Sequence, residues 1–180
     1  MMKIMVIGYS SSGKSTFSKR LSRCYNTPIL HIDRIFFAPN WVERDKKIVE
    51  QEIREFMKQD NWIIDGLYRK MATERFEIAD KIFIFDFNRF KCLYGAITRR
   101  IKFHNQNRDS IAEGCKERLN FSFIWWILFS GRKKNSKELL KSIKHNYKDK
   151  VIVFKNRKQT NQYLRSIGYK GSFKYERNIT

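Results

Sequence analysis

The segment Gly8-Tyr9-Ser10-Ser11-Ser12-Gly13-Lys14-Ser15 fits the pattern G-x-x-x-x-G-K-[ST]. The chemistry of such a loop is the capture of phosphate. Backbone N–H groups gathered at a helix N-terminus form a concave nest, and the helix dipole favours an anion there. Gly8 and Gly13 permit backbone angles and close approach that a Cβ would block. Lys14 is placed to reach β- and γ-phosphates, and the Ser15 hydroxyl to ligate Mg²⁺. The expected phosphate-binding set is therefore Gly8, Ser10, Ser11, Ser12, Gly13, Lys14, Ser15 and Thr16. The pattern fixes only four positions, so a chance glycine-serine turn is the competing reading. Context argues against it: the loop follows the strand-like KIMVI and opens the helix-like STFSKRLSRCY, as the motif requires.

A phosphate-bound metal also needs a carboxylate to order its water shell. Asp33, Asp65 and Asp86 each follow or end an apolar run. Asp65, in NWIIDGLYR, stands where a strand ends and a glycine turns the chain, and Asp33 holds the equivalent place after an earlier run. Ligands of open parallel sheets bind at the carboxyl ends of strands. Each of the two competes with a plain turn or cap aspartate. Asp86, ending IFIFD, competes with a helix cap in the same way.

The elements that must position these residues alternate along the chain. Ile4–Ile7, Ile29–Ile32, Trp62–Ile64, Ile82–Phe85 and Val151–Phe154 are short and continuously apolar, as strands buried on both faces are. Helical segments are expected over Lys14–Cys24, Glu43–Gln59, Lys70–Ala79, Phe90–His104, Lys137–Asn146 and Thr160–Ile167. In the second of these, Ile48, Ile53 and Phe56 lie near one face. Five alternations predict an α/β domain, a five-stranded parallel sheet flanked by helices. One domain is expected over 1–180, with an insertion at about 105–132 where strand signals vanish.

Composition sets the outer bounds. Of 180 residues, 42% are hydrophobic and 15% aromatic, which excludes a disordered chain. The net charge is +20 and uneven: residues 1–90 hold 16 basic and 12 acidic side chains, residues 91–180 hold 22 and 6. The basic half suits a polyanion, and equally a composition bias spread over solvated faces. Cys24, Cys92 and Cys115 form no metal-type spacing, and reduced thiols are expected. The opening apolar run is too short for a signal peptide. The most apolar stretch, Phe121 to Phe129, is about half a membrane span. A soluble, cytoplasmic protein with no membrane partner is the expectation.

Two sets of residues carry a resemblance. The phosphate loop followed by Asp65-Gly66-Leu67-Tyr68-Arg69, a D-G-x-x-R segment, resembles the nucleoside-monophosphate kinase group, adenylate kinase included. HIDRIFFAPNW, WIIDGLY, SIAEGCKERLNFSFIWWI and VIVFKNRKQ resemble the FlaR-like DNA topology modulation proteins, predicted kinases of the adenylate-kinase type. The likeness runs from Lys3 to about Ile167. It implies a sheet order of 2-3-1-4-5 and a helical lid. It also implies ATP on the loop, and Mg²⁺ held by Ser15 and indirectly by Asp65. Arg69 would join the acceptor phosphate to the transferring phosphoryl, Asp33 would lie beside the acceptor, and Arg99, Arg100 and Arg108 would fall where lid arginines do. The Gly-Arg lid-opening motif and zinc-type cysteines of adenylate kinase are absent, and Asp33 lacks the D-x-x-R spacing used for a monophosphate.

The expected activity is ATP- and Mg²⁺-dependent phosphoryl transfer to a small acceptor, a nucleoside, nucleotide or similar metabolite. Its catalytic set is Lys14, Asp33, Arg69, Arg100 and Arg108; Ser15 and Asp65 are the metal residues. Arg99, Arg118 and Arg132 belong to the same arginine group, against the reading of surface charge. Phe121, Phe123, Trp125, Trp126 and Phe129 are read as core, with base stacking as the alternative. His31 is read as a satisfied buried histidine on the same side of its strand as Asp33, or else as a group orienting the acceptor. The rival function is an ATP-binding DNA topology modulator with little turnover. No helix-turn-helix, zinc-finger or RNA-binding signature supports it, and any nucleic-acid binding would be weak and salt-dependent.

Overall fold

A computed structural model of the chain describes residues 2–103, 109–115, 117 and 119–173. The elements run β1 (Lys3–Gly8), α1 (Lys14–Tyr25), β2 (Ile29–His31), α2 (Ile32–Phe36), β3 (Phe37–Ala38), β4 (Val42–Glu43), α3 (Lys46–Met57) and β5 (Trp62–Asp65). Then follow α4 (Ala72–Ile78), β6 (Lys81–Phe85), α5 (Arg89–Lys102), α6 (Phe121–Leu128), α7 (Lys134–Asn146), β7 (Val151–Phe154) and α8 (Arg157–Ser166). Short 3₁₀ turns lie at Pro39–Trp41, Arg69–Met71 and Ser130–Arg132.

Each of the five apolar runs forms a strand, the second only to His31 because Ile32 opens α2, and the five form one parallel sheet in the order β2-β5-β1-β6-β7. Counting only these strands along the chain, the order is 2-3-1-4-5. The phosphate-loop strand β1 is therefore central, and Asp65 ends the strand beside it. Alternation across the pleat divides the core. Met5, Ile7, Ile64 and Ile84 face one side with Val49, Ile53, Phe76, Leu140 and Ile143 of α3, α4 and α7. Ile4, Val6, Ile63, Phe83 and Phe85 face the other with Phe17, Cys92, Ala96, Ile127 and Leu164 of α1, α5, α6 and α8. Both faces are covered, which is why the strands read as unbroken apolar runs.

Local chemistry moves several boundaries. The helix expected from Glu43 begins at Lys46, because the Asp45 carboxylate accepts from the Lys47 and Ile48 N–H groups and caps it there. Its buried face is Val49, Ile53 and Met57, spaced four apart, and Ile48 is exposed. Glu43 belongs instead to a small antiparallel hairpin, β3 with β4, that the sequence pattern did not reveal. The segment 109–115 docks on this hairpin. Ile111, Ala112 and Cys115 pack with Phe37 and Trp41, and the Asn40 N–H donates to the Gly114 carbonyl.

Candidate active site

The phosphate loop bridges β1 and α1 as its sequence context requires. At Gly8 (φ 133°) a Cβ would stand 2.3 Å from the Phe85 carbonyl oxygen, so the tight exit from the sheet needs glycine. Ser11 takes a left-handed backbone (φ 60°) at the crest of the loop. Ser12 is buried and its hydroxyl donates to the Tyr9 carbonyl at 2.7 Å. The Lys14 ammonium donates to the same carbonyl at 2.9 Å, which folds the lysine back over the loop.

The loop forms one wall of a cavity of about 670 Å³. Gly8, Ser10, Ser11, Gly13, Lys14, Ser15 and Thr16 line it, and so do Asp33, Asp65 and Arg69. Ser12 faces away. Basic side chains outnumber acidic ones along the wall, seven (Lys14, Lys19, Arg20, Arg23, Arg69, Arg99, Arg132) to three (Asp33, Asp65, Asp109). The positive charge concentrated here suits a polyanionic occupant.

Asp65 is buried at the carboxyl end of β5, paired across the sheet with Val6 and His31. His31 Nδ1 lies 2.8 Å from Asp65 Oδ2. An ionised carboxylate only accepts, so Nδ1 carries the hydrogen. Burial by itself raises the Asp65 pKa, but the His31 hydrogen bond, the charges of His31 and Lys14 and the Ser15 hydroxyl outweigh it. The net shift is downward, and Asp65 is an anion at neutral pH. Asp65 Oδ1 and His31 Nε2 are both buried with no hydrogen-bond partner among the described residues, and both residues line the cavity. A buried carboxylate with one partnerless oxygen, within electrostatic reach of Lys14 and Ser15, fits the water shell of a hydrated cation. No group of three or more His, Cys, Asp or Glu side chains gathers among the described residues. Mg²⁺ at a phosphate loop needs none, because it retains waters and takes ligands from the phosphates.

The other two aspartates separate. β2 ends at His31, and Asp33 sits in the short helix α2, so the two do not share one face of a strand. His31 is instead the buried, bonded partner of Asp65. Asp86 forms a 2.7 Å ion pair with Lys144 and does not cap α5, whose cap is the Asn88 side chain.

The arginines sort by helix geometry. Arg99 lines the cavity, 2.7 Å from the buried Glu117 and over the Phe123 ring. Arg100, about 100° further round α5, is not among the lining residues. Arg108 and Arg118 lie outside the described residues. Arg132 is held by several contacts. It donates to the Ile127 and Phe87 carbonyls at 3.0 and 2.9 Å, and its guanidinium stands 3.7 Å from the centre of the Tyr9 ring in the phosphate loop. Arg69 reaches the Ser136 hydroxyl at 3.3 Å, joining the turn after β5 to α7.

The reading of Phe121 to Phe129 as core is corrected. Ile127 is buried, but Phe121, Trp125, Trp126 and Phe129 are exposed. An eight-residue helix at the surface has only one inward face, and nearly every position of α6 is apolar. Trp126 and Phe123 line the cavity.

Two further residues were not foreseen. Arg75 is fully buried and donates to the carbonyls of Met71, Gly66 and Tyr68, bracing the turn that carries Asp65 and Arg69. Burial lowers its pKa to about 10, so it stays charged at neutral pH. An arginine inside a helical segment gave no signal of this. Gly95 sits where α5 crosses the loop, and a Cβ there would stand 2.3 Å from the Ser11 carbonyl oxygen. A glycine in mid-helix, costly by about 1 kcal/mol, was the available signal.

No protein-family model and no curated protein matches the chain. Among solved structures it is similar to the shikimate kinase of Aquifex aeolicus (17% identity, TM-score 0.47, covering 92% of this chain and 93% of that one). Shikimate kinase from Bacteroides thetaiotaomicron follows at 15% identity, TM-score 0.47 and coverage of 92% and 95%. A gluconokinase from Sinorhizobium meliloti 1021 is 12% identical, with TM-score 0.49 and coverage of 92% and 89%.

Proposed function

We propose that the protein is an ATP- and Mg²⁺-dependent small-molecule kinase, transferring the γ-phosphoryl of ATP to an acceptor bound in the same cavity. The observation that carries this reading is the buried Asp65 carboxylate, held by His31 and facing Lys14 and Ser15 of the phosphate loop. A loop that only gripped phosphate for structural purposes has no use for a buried anion beside its lysine.

Phosphoryl transfer asks little covalent work of a protein; positioning and charge neutralisation carry it. The loop N–H groups and Lys14 bind the β- and γ-phosphates. Ser15 would ligate Mg²⁺ and Asp65 would order its water shell, and the bound ion would supply neutralisation of the phosphate charge. Arg69 and Arg99 border the cavity outside the loop, where they are placed to hold an anionic acceptor and the transferring group. Arg132 stiffens the loop through Tyr9. Asp33 is exposed at the mouth, where it orients an acceptor hydroxyl; an acceptor that is already a phosphate needs no strong base. The segment of about 105–132 acts as the lid that excludes water from the transfer, and within it residues 109–115 rest on the β3–β4 hairpin.

The test is a coupled ADP-release screen of the purified chain against nucleosides, nucleotides and small hydroxylated metabolites. Turnover with at least one acceptor is expected, lost in a folded Lys14→Ala variant. Tight duplex-DNA binding that resists salt, with no turnover on any acceptor, overturns the kinase reading and favours a DNA-binding regulator.

A further inference from the structure

The helix α5 buries Cys92, Gly95 and Ala96 against the domain and leaves a second apolar face uncovered. Phe90, Tyr94, Ile97 and Ile101 recur at i, i+4, i+7 and i+11, a single stripe about 16 Å long at 1.5 Å per residue. Their exposures are 68%, 63%, 39% and 72%. The neighbouring α6 and the residue that follows it add the exposed rings of Phe121, Trp125 and Phe129, set in a row with centroids 6.2 and 4.4 Å apart. The Arg89 guanidinium, 5.7 Å from the Phe129 ring centre, joins the two sets. Monomeric proteins rarely leave so many large apolar side chains together without a use for them.

Charge identifies what covers this face. At 100° per residue, Arg89 and Arg100 lie along one flank of the α5 stripe, and Lys91 and Lys102 along the other. Neither α5 nor α6 contains an acidic residue. A stripe of aromatic and aliphatic side chains with basic residues on both flanks and tryptophan beside it is the pattern of a helix lying in the headgroup region of a bilayer. The basic flanks meet anionic headgroups while the stripe enters the acyl boundary. A second copy of this chain is a poorer occupant, because two all-basic helices would face each other across the contact. Duplex nucleic acid would satisfy the flanks and leave Phe90, Ile97 and Ile101 wet.

We propose that the α5–α6 face docks the protein peripherally on an anionic phospholipid surface. The expectation of no membrane partner rested on span length. No described helix is long and apolar enough to cross a bilayer, but a helix lying in the interface need not cross it.

The experiment is co-sedimentation of the full chain with vesicles of phosphatidylcholine, and with the same lipid carrying about one-third phosphatidylserine. Binding to the anionic vesicles is expected, weaker at high salt, with a blue shift of tryptophan fluorescence and quenching by bromine-labelled acyl chains. The double variant Phe90→Glu with Ile101→Glu removes only exposed side chains, and partitioning should fall at least about tenfold with an unchanged circular dichroism spectrum. Lys91→Gln should weaken binding and flatten its salt dependence. Three results overturn the proposal: no partitioning onto anionic vesicles, partitioning that the double glutamate variant does not alter, or a dimer in solution that the same variant dissolves.

Discussion

The buried Arg75 guanidinium donates to the Tyr68 carbonyl at 2.6 Å, and through it α4 holds the turn between Asp65 and Arg69. Two more carbonyls, of Met71 and Gly66, accept from the same side chain at 3.1 and 3.4 Å. One cation thus fixes the backbone that presents an anion on one side and a second arginine on the other.

Replacing Arg75 by Leu keeps the apolar stem, removes the guanidinium and strands buried carbonyls without a donor. Each unsatisfied buried polar group costs about 1–3 kcal/mol, so a loss of about 3 kcal/mol or more is expected. Urea unfolding followed by circular dichroism measures it. A loss under about 1 kcal/mol would show that the turn holds without its brace.

Asp65→Asn should lower kcat far more than it weakens ATP binding, because a carboxylate that organises metal and phosphate charge acts mainly in the transition state. His31→Ala removes the partner of Asp65 Oδ2 and should lower kcat in the same direction. Asp86→Asn breaks only the ion pair with Lys144 and should leave turnover near wild type. If the Asp86 variant shows the large loss instead, the metal carboxylate has been assigned to the wrong strand.

Gly95→Ala places a methyl 2.3 Å from the Ser11 carbonyl oxygen, a backbone atom that yields only if the loop or α5 shifts. Helix propensity favours alanine by about 1 kcal/mol, so a purely helical account predicts a more stable variant. Crowding of the loop predicts ATP affinity weaker by at least about tenfold, equal to 1.4 kcal/mol. Calorimetric titration with ATP and thermal unfolding separate the two accounts.

Arg99→Ala and Arg132→Ala should each reduce turnover at least about tenfold, because both line the cavity. Arg100→Ala should have little effect. Measuring kcat and KM for the three single variants decides this. A loss confined to the Arg100 variant would mean that α5 rotates during the reaction.

Exposed ion pairs should matter far less. Lys19 and Asp109 meet at 2.7 Å with both side chains partly in solvent, and such pairs contribute about 0.2–1 kcal/mol. The Lys19 hydrogen bond lowers the Asp109 pKa. The contribution is therefore fully present above the ordinary aspartate value and is lost as pH falls through the lowered one. Asp109→Asn should change the melting temperature little at pH 7 and not at all at strongly acid pH.

The sequence by itself determined what depends on near neighbours. Five apolar runs made five strands, because burial on both faces leaves a mark in every residue of the run. The phosphate loop was legible for the same reason: Gly8, Gly13, Lys14 and Ser15 act on one another within a single turn of chain. Asp65 was legible as the last residue of a buried strand before a glycine. Tertiary structure decided the pairings across long separations. His31 and Asp65 are 34 residues apart and meet only because β2 and β5 are neighbours in the sheet. Arg132 reaches Tyr9, and Gly95 admits the Ser11 carbonyl, only because α5 and the segment after α6 cross the loop. Which of two adjacent arginines enters the cavity was decided by rotation about α5, which residue type does not encode. The exposed rings of α6 were misread as core because hydrophobicity reports a preference for burial, whereas burial itself depends on how many faces of an element the rest of the fold can cover.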